Sequence, residues 1–191
     1  MRPLAHFHQL PPGFRVEDLP LAVRFGAHRT VLRWLGPDDA PRLLEFFKSH
    51  TPDTIRNRYG YLFTDMSSDR AARLVNVDQL SDAALGVFED DWHARLVAIG
   101  RYCLAEDKSS AELAFVVRED RRNLGIASTL IGALIAIARE REVPRLTAQI
   151  QSDNGPMLAI FRQAGATFAS IPGSGATEAV ISLDPPHGHR H

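Results

Sequence analysis

Between Ala111 and Leu130 the chain reads Ala-Glu-Leu-Ala-Phe-Val-Val, then Arg-Glu-Asp-Arg, then Arg-Asn-Leu-Gly-Ile-Ala-Ser-Thr-Leu. Glu112 is the only charge in its seven-residue apolar run, which suits a buried strand. An ionised carboxylate is rarely left unpaired in such surroundings, so Glu112 is a candidate proton acceptor. The other reading puts it at the exposed start of the strand, where it solvates a turn. Strand alternation sets Ala114 and Val116 on its face, leaving little bulk beside it. Next comes a glycine-bearing loop, Arg122-Asn123-Leu124-Gly125-Ile126-Ala127-Ser128, which runs into an apolar segment of helical length. Strand, loop and helix start in that order gather unpaired N–H groups and the positive end of a helix dipole at one point. That combination favours an anion such as a pyrophosphate.

Two nucleotide-binding motifs fail here. A P-loop needs a second glycine and a Lys-Ser/Thr pair, and a dinucleotide fingerprint needs Gly-x-Gly-x-x-Gly, whereas only Gly125 in this loop is a glycine. The pattern Gln/Arg-x-x-Gly-x-Gly/Ala is met by Arg122, Gly125 and Ala127.

The elements that must position these residues follow from periodicity. Leu21 to Phe25, Gly26-Ala and His28 to Leu35 read as a hairpin. Gly36-Pro-Asp-Asp breaks it and caps a helix with Leu43, Leu44, Phe46 and Phe47 on its apolar face. Thr51-Pro-Asp opens a second short helix through Arg56 and Tyr59, and Ser67-Ser-Asp a third carrying Ala71, Leu74 and Val75. From Ala83 the period becomes that of strands. Segments from Ala83 and from Arg95, joined by the acidic turn at Glu89, form an antiparallel meander with the Glu112 strand. A helix from Leu124 to Glu140 then crosses to a strand at Pro144–Ile150, as in a right-handed parallel crossover. Ser152-Asp-Asn-Gly-Pro caps a last helix ending at Gly165, and two strands follow near Thr167 and Thr177.

The 191 residues, 45% apolar and 24% charged, suffice for one domain with a full core. The expected division is an N-terminal arm over 1–19, a single domain over 20–184 and a flexible tail over 185–191. A net charge of −1 gives no global attraction to nucleic acid or an anionic membrane, so neither is expected as a partner. A lone cysteine, Cys103, excludes an internal disulfide framework and reads as a packed small hydrophobe. A reducing cytoplasm is the simplest compartment. The most apolar window, Ile126 to Ala138, is too short for a membrane span. No cluster of ligand spacing argues for a metal; the His6/His8 and His187/His189/His191 pairs sit near the ends.

The Arg122-x-x-Gly125-x-Ala127 loop, set after a strand and before a long helix, resembles that of the Gcn5-related N-acetyltransferases (GNAT). A second anchor, Asn154-Gly-Pro-Met-Leu-Ala-Ile-Phe-Arg-Gln-Ala-Gly, is similar to that family's Asn-x-x-Ala-x-x-Leu-Tyr-x-x-x-Gly segment. The resemblance spans about Thr30 to Leu183 and implies an α/β (α+β) GNAT fold: a mixed central sheet with an antiparallel meander, a parallel crossover through the coenzyme A-binding helix, and flanking helices. Ala-Glu-Leu-Ala-Phe-Val-Val, Met157-Leu-Ala-Ile-Phe and Thr-Pro-Asp-Thr-Ile-Arg-Asn-Arg-Tyr look most like bacterial protein lysine acetyltransferases of the Pat type. The last of these is similar to their substrate-side segment.

The resemblance implies acetyl transfer from acetyl-CoA to an amine, a lysine side chain of a protein substrate such as an acyl-CoA synthetase, with Glu112 as general base and no metal. The strand Phe115-Val116-Val117 would pair its backbone with the pantetheine. Arg122, Asn123, Leu124, Gly125, Ile126, Ala127 and Ser128 would hold the pyrophosphate, and Asn154 and Phe161 would border the pantetheine and thioester. The Val117 strand would offer an N–H to the oxyanion. Core packing is the alternative for Phe115 to Val117, and helix capping for Asn154. The chain departs from the family at Asn123, where many relatives carry glycine, and at Phe161, where many carry a tyrosine. A thiol of pKa about 8.5 leaves tolerably without that tyrosine. A small-molecule amine acetyltransferase and a non-catalytic acetyl-CoA-binding module are the alternatives. Glu112 counts against the second.

Overall fold

A computed structural model describes residues 10–52, 54 and 66–183. The helix expected through Arg56 and Tyr59, the residues at both histidine-rich ends and the expected tail lie outside the described residues.

The expected hairpin is β1 (Leu21–Phe25) with β2 (His28–Trp34), and its register places Val23 opposite Thr30. β2 continues antiparallel onto β3 (Ala83–Glu89), β3 onto β4 (Leu96–Leu104) and β4 onto β5 (Ala111–Val117). The meander therefore carries five strands, two more than the three expected from Ala83 onward. After β5 the chain crosses through a helix to β6 (Arg145–Gln151), parallel to β5. The closing hairpin of β7 (Thr167–Ile171) and β8 (Ala176–Ser182) joins with β8 innermost, giving the order β1-β2-β3-β4-β5-β6-β8-β7.

Four α-helices are described: α1 (Ala40–Lys48), α2 (Ser68–Val75), α3 (Ile126–Glu140) and α4 (Gly155–Gln163). From Thr129 to Ala138 every residue of α3 is buried, so this helix has no solvated face through its middle. It packs on β3, β4 and β5. Gly100 of β4 permits this, because a Cβ there would meet Leu134 at 3.1 Å and Leu130 at 3.3 Å, closer than most real contacts. Phe25, Tyr102, Leu113, Leu130 and Leu134 belong to the core on this side of the sheet. On the opposite side α1 and α2 place Leu43, Phe46, Phe47, Ala71 and Val75 against Phe88, Ile99 and Val116.

Three local features differ from expectation. Residues 10–19, expected as an arm, put Phe14 at 4% exposure in the α3 core, and the Val16 N–H donates to Glu140. One aromatic anchor has no periodicity, so the sequence carries no signal for this packing. Asp39 occupies the cap position of α1 but does not cap it. Its carboxylate instead accepts two 2.8 Å bonds from Arg33 and one from the Gly36 N–H. The helix expected from Leu124 begins at Ile126, because Gly125 takes the left-handed φ of +85° and closes the loop first.

Candidate functional site

β5 and β6 pair over only two positions, Ala111 with Leu146 and Glu112 with Thr147. Beyond them the strands part. From Leu113 to Val117, β5 pairs with β4 alone, so its other edge has no ladder partner among the described residues. Free strand edges seek backbone amides, and this one opens a cleft in the middle of the sheet.

Register and alternation define the two faces at the cleft. Ala111, Leu113 and Phe115 belong to the α3 core. Glu112, Ala114 and Val116 point to the side covered by α1 and α2, and Cys103 and Ile99 of β4 lie opposite Glu112 and Val116. Glu112 is exposed and makes no hydrogen bond or ion pair among the described residues, so its carboxylate is open to an incoming group. Cys103 is half-buried, accepts from Arg101 Nη2 at 3.2 Å, and burial pushes its thiol above the ordinary value.

The start of α3, where an anion site is expected, is uncapped. Gly125 provides no side-chain cap, and the first intrahelical bond is Thr129 N–H to the Gly125 carbonyl, at 3.0 Å. The N–H groups of Ile126, Ala127 and Ser128 are therefore left for another acceptor. A Cβ built at Gly125 would meet nothing within 4 Å, so the glycine is required by its backbone angle and opens onto free space. Asn123, the departure from the family pattern, adopts φ +60°. Asparagine is among the few residues that tolerate this region, so the loop keeps its left-handed turn without the usual glycine.

Three arginines crowd this loop, and the structure separates their roles. Arg118 donates to Asp120, and Arg121 donates to Asp120 and to Glu89 of β3. Arg95 also donates to Glu89, at 2.7 and 2.9 Å, and these contacts hold the Glu89 carboxyl below the usual range. Arg121 thus braces the loop against the β3–β4 hairpin, while Arg118 holds Asp120 within the loop. Arg122 alone is half-exposed, at 49% of its side chain.

The sequence reading missed Glu119, Thr51 and Thr54 as a group. One carboxylate oxygen of Glu119 accepts from the Thr51 N–H at 3.1 Å, the Thr51 hydroxyl at 2.6 Å and the Thr54 hydroxyl at 2.8 Å. The hydroxyls of Thr51 and Thr54, then the Thr51 amide, drive the Glu119 carboxyl down to about 2. Arg122 Nη2 donates to the Thr54 hydroxyl at 2.8 Å. Beside them His50 is set by a 2.6 Å bond between Nδ1 and the Phe46 carbonyl, and burial lowers its pKa below the ordinary 6.5. The partners are 65 to 68 residues apart in sequence, and no local pattern marks them.

At the C-terminal side of the cleft, Asn154 caps α4 by accepting from the Met157 N–H at 3.3 Å. The capping alternative is therefore realised, and the side-chain amide nitrogen remains for other use. Phe161 is 1% exposed and stacks on Phe115 with centroids 5.8 Å apart. These two predicted residues meet in the core, where they join β5 to α4. Among the described residues no group of three or more His, Cys, Asp or Glu side chains is arranged to hold a metal, and no helix is long and apolar enough to cross a membrane.

The family model of the acetyltransferase (GNAT) domain matches residues 29–167. The chain is 31% identical over 164 residues to acetyltransferase Pat of Mycolicibacterium smegmatis, a match covering 80% of this chain and 45% of that protein. It thus spans just under half the length of the curated relative it matches. Among solved structures, the GNAT domain of S. lividans PAT superposes with a TM-score of 0.74 at 23% identity, over 83% of this chain and 93% of that one. A cAMP-binding acyltransferase from Mycobacterium smegmatis gives 0.59 at 26% identity, over 87% and 47%. An acetyltransferase from Salmonella typhimurium, solved with acetyl-CoA, gives 0.66 at 16% identity, over 83% and 96%.

Proposed function

The chain belongs to the GNAT acetyltransferase family, and from that premise we propose that it transfers acetyl from acetyl-CoA to the side-chain amine of a protein lysine. The observation that carries this reading is the parting of β5 from β6 at Glu112 and Thr147, above an uncapped helix start. A free strand edge runs from the unpartnered carboxylate of Glu112 to the end of β5, and the loop that follows carries the unpaired N–H groups.

These groups fit the coenzyme. The amides of Ile126, Ala127 and Ser128 and the guanidinium of Arg122 suit the pyrophosphate, with Asn123 and Gly125 shaping the loop and Leu124 flanking it. The free edge of Phe115, Val116 and Val117 suits the pantetheine amides, while Phe161 packs behind that edge in the core and Asn154 caps α4 with its amide nitrogen left for the coenzyme. Acetyl-CoA would supply the activated acyl group and a thiol leaving group.

Glu112 acts as the general base. A lysine ammonium has a reference pKa of about 10.4, so at neutral pH only on the order of one in a thousand is the nucleophilic free amine. An exposed, unpaired carboxylate on the side of the sheet away from α3 takes that proton directly or through water. A lysine acceptor is supported by the likeness to Pat, and an acyl-CoA synthetase is the partner class to try first. Thiol release from acetyl-CoA, measured with lysine-bearing proteins and a panel of small amines, tests the reading. No release with any acceptor would overturn it.

A further inference from the structure

Glu119 joins two parts of the chain that the proposed reaction must bring together. It opens the short turn Glu119–Arg121 that follows β5 and leads into the pyrophosphate loop. Its partners Thr51 and Thr54 lie just beyond the end of α1, on the side of the sheet to which Glu112 points. An acceptor amine must reach Glu112 from that side.

The two threonine hydroxyls also lie 3.2 Å from each other, and the donors around them are otherwise assigned. Each threonine hydroxyl gives its single proton to Glu119, Thr54 Oγ1 then accepts from Arg122, and Thr51 Oγ1 accepts from the Thr54 N–H at 3.4 Å. Arg122 spends one N–H on Thr54, and Glu119 lies 3.8 Å from the same nitrogen. A guanidinium has five donors in a fixed fork, so Arg122 can bind an anion while still holding Thr54.

We propose that Glu119 is a positioning residue which, through Arg122, couples coenzyme binding at the α3 loop to the fixing of Thr51 and Thr54 just beyond α1. This deepens the acetyltransferase reading and rests on it. An anion on Arg122 fixes the guanidinium, the guanidinium fixes Thr54, and Thr54 with Glu119 fixes the chain on the acceptor side. Coupling of this kind is reciprocal, so disturbing the threonines weakens coenzyme binding although neither side chain is assigned to the pyrophosphate.

Amide hydrogen exchange of peptides covering residues 49–54, with calorimetry of acetyl-CoA and of free coenzyme A, tests it. In the wild type, saturating acetyl-CoA slows exchange in these peptides. Thr54→Val weakens acetyl-CoA binding roughly three- to tenfold, the scale of one hydrogen bond to a charged group on a partly exposed surface. At saturating ligand it also loses the slowing, and Thr54→Ser restores both. Combining Thr54→Val with Glu119→Ala adds little to either change alone, as expected for one network. Intact binding without slowing in the wild type, or full slowing in Thr54→Val, overturns the coupling and leaves the acetyltransferase reading standing. Failure of the wild type to bind either ligand removes both.

Discussion

Glu112 and Thr147 form the last parallel pair between β5 and β6, and the sheet opens directly beyond them. The carboxylate thus stands at the mouth of the cleft, exposed, on the α1/α2 side. Removing a general base costs about 10²–10⁴ in rate. Glu112→Gln should lower turnover by that order near neutral pH, with acetyl-CoA affinity nearly unchanged. The deficit should shrink as pH rises, because the acceptor amine then deprotonates itself. A folded Glu112→Gln protein with wild-type turnover at pH 7 removes Glu112 from the mechanism.

Acetyl-CoA should raise the melting temperature, since a ligand that binds only the folded state stabilises it by mass action. Gly125→Glu should abolish that shift. The open space at Gly125 would receive a side chain, and a like charge would face the pyrophosphate that the proposal places there. Gly125→Ala is the control: it shares the left-handed backbone cost of about 1–2 kcal/mol but adds no charge. It should keep part of the shift. Equal loss in both variants would make backbone strain the sole cause.

The acceptor should be a lysine on a folded protein in preference to free lysine or polyamines. Intact mass spectrometry of candidate targets after incubation with acetyl-CoA would register about one acetyl addition per reactive lysine. Robust turnover of an aminoglycoside, a polyamine or a free amino acid, with no mass change on any protein, would favour the small-amine reading.

Asp39 should be a stability residue with a defined pH window. Burial would raise its carboxyl, but hydrogen bonds from Arg33 and Gly36 and the nearby charges of Arg33 and Arg42 hold it below the ordinary 3.8. A depressed folded-state pKa means that the stabilisation is full above the unfolded value and lost as pH falls through the folded one. Asp39→Asn should cost about 2–4 kcal/mol at pH 7, since it breaks a pair whose carboxylate is 2% exposed, whose Arg33 side chain is 32% exposed, and which carries two 2.8 Å bonds. In urea titrations the gap between wild type and variant should close below pH 3.8. A gap that persists undiminished at pH 2 would assign the effect to packing.

Much of the site could be read locally. The strand, the Gly125 loop and the long apolar helix are consecutive, so periodicity and one left-handed glycine place them without any distant contact. The capping role of Asn154 and the stop at Gly165, with φ +85°, are equally local. The packing of Phe14 and the use of Asp39 by Arg33 escaped the sequence, because each depends on which surface a single side chain meets.

The sequence by itself determined the order and type of most described elements and the left-handed Gly125 loop between β5 and α3, since both follow from spacing along the backbone. Tertiary structure alone decided three further matters: where β5 leaves β6, which of three neighbouring arginines stays exposed, and that Glu119 meets Thr51 and Thr54. Each of these turns on at least one contact across tens of residues, as Arg121 makes with Glu89, or between strands apart in the chain. Such contacts are selected by the packing of whole elements, and nothing in the local alternation of polar and apolar side chains encodes them.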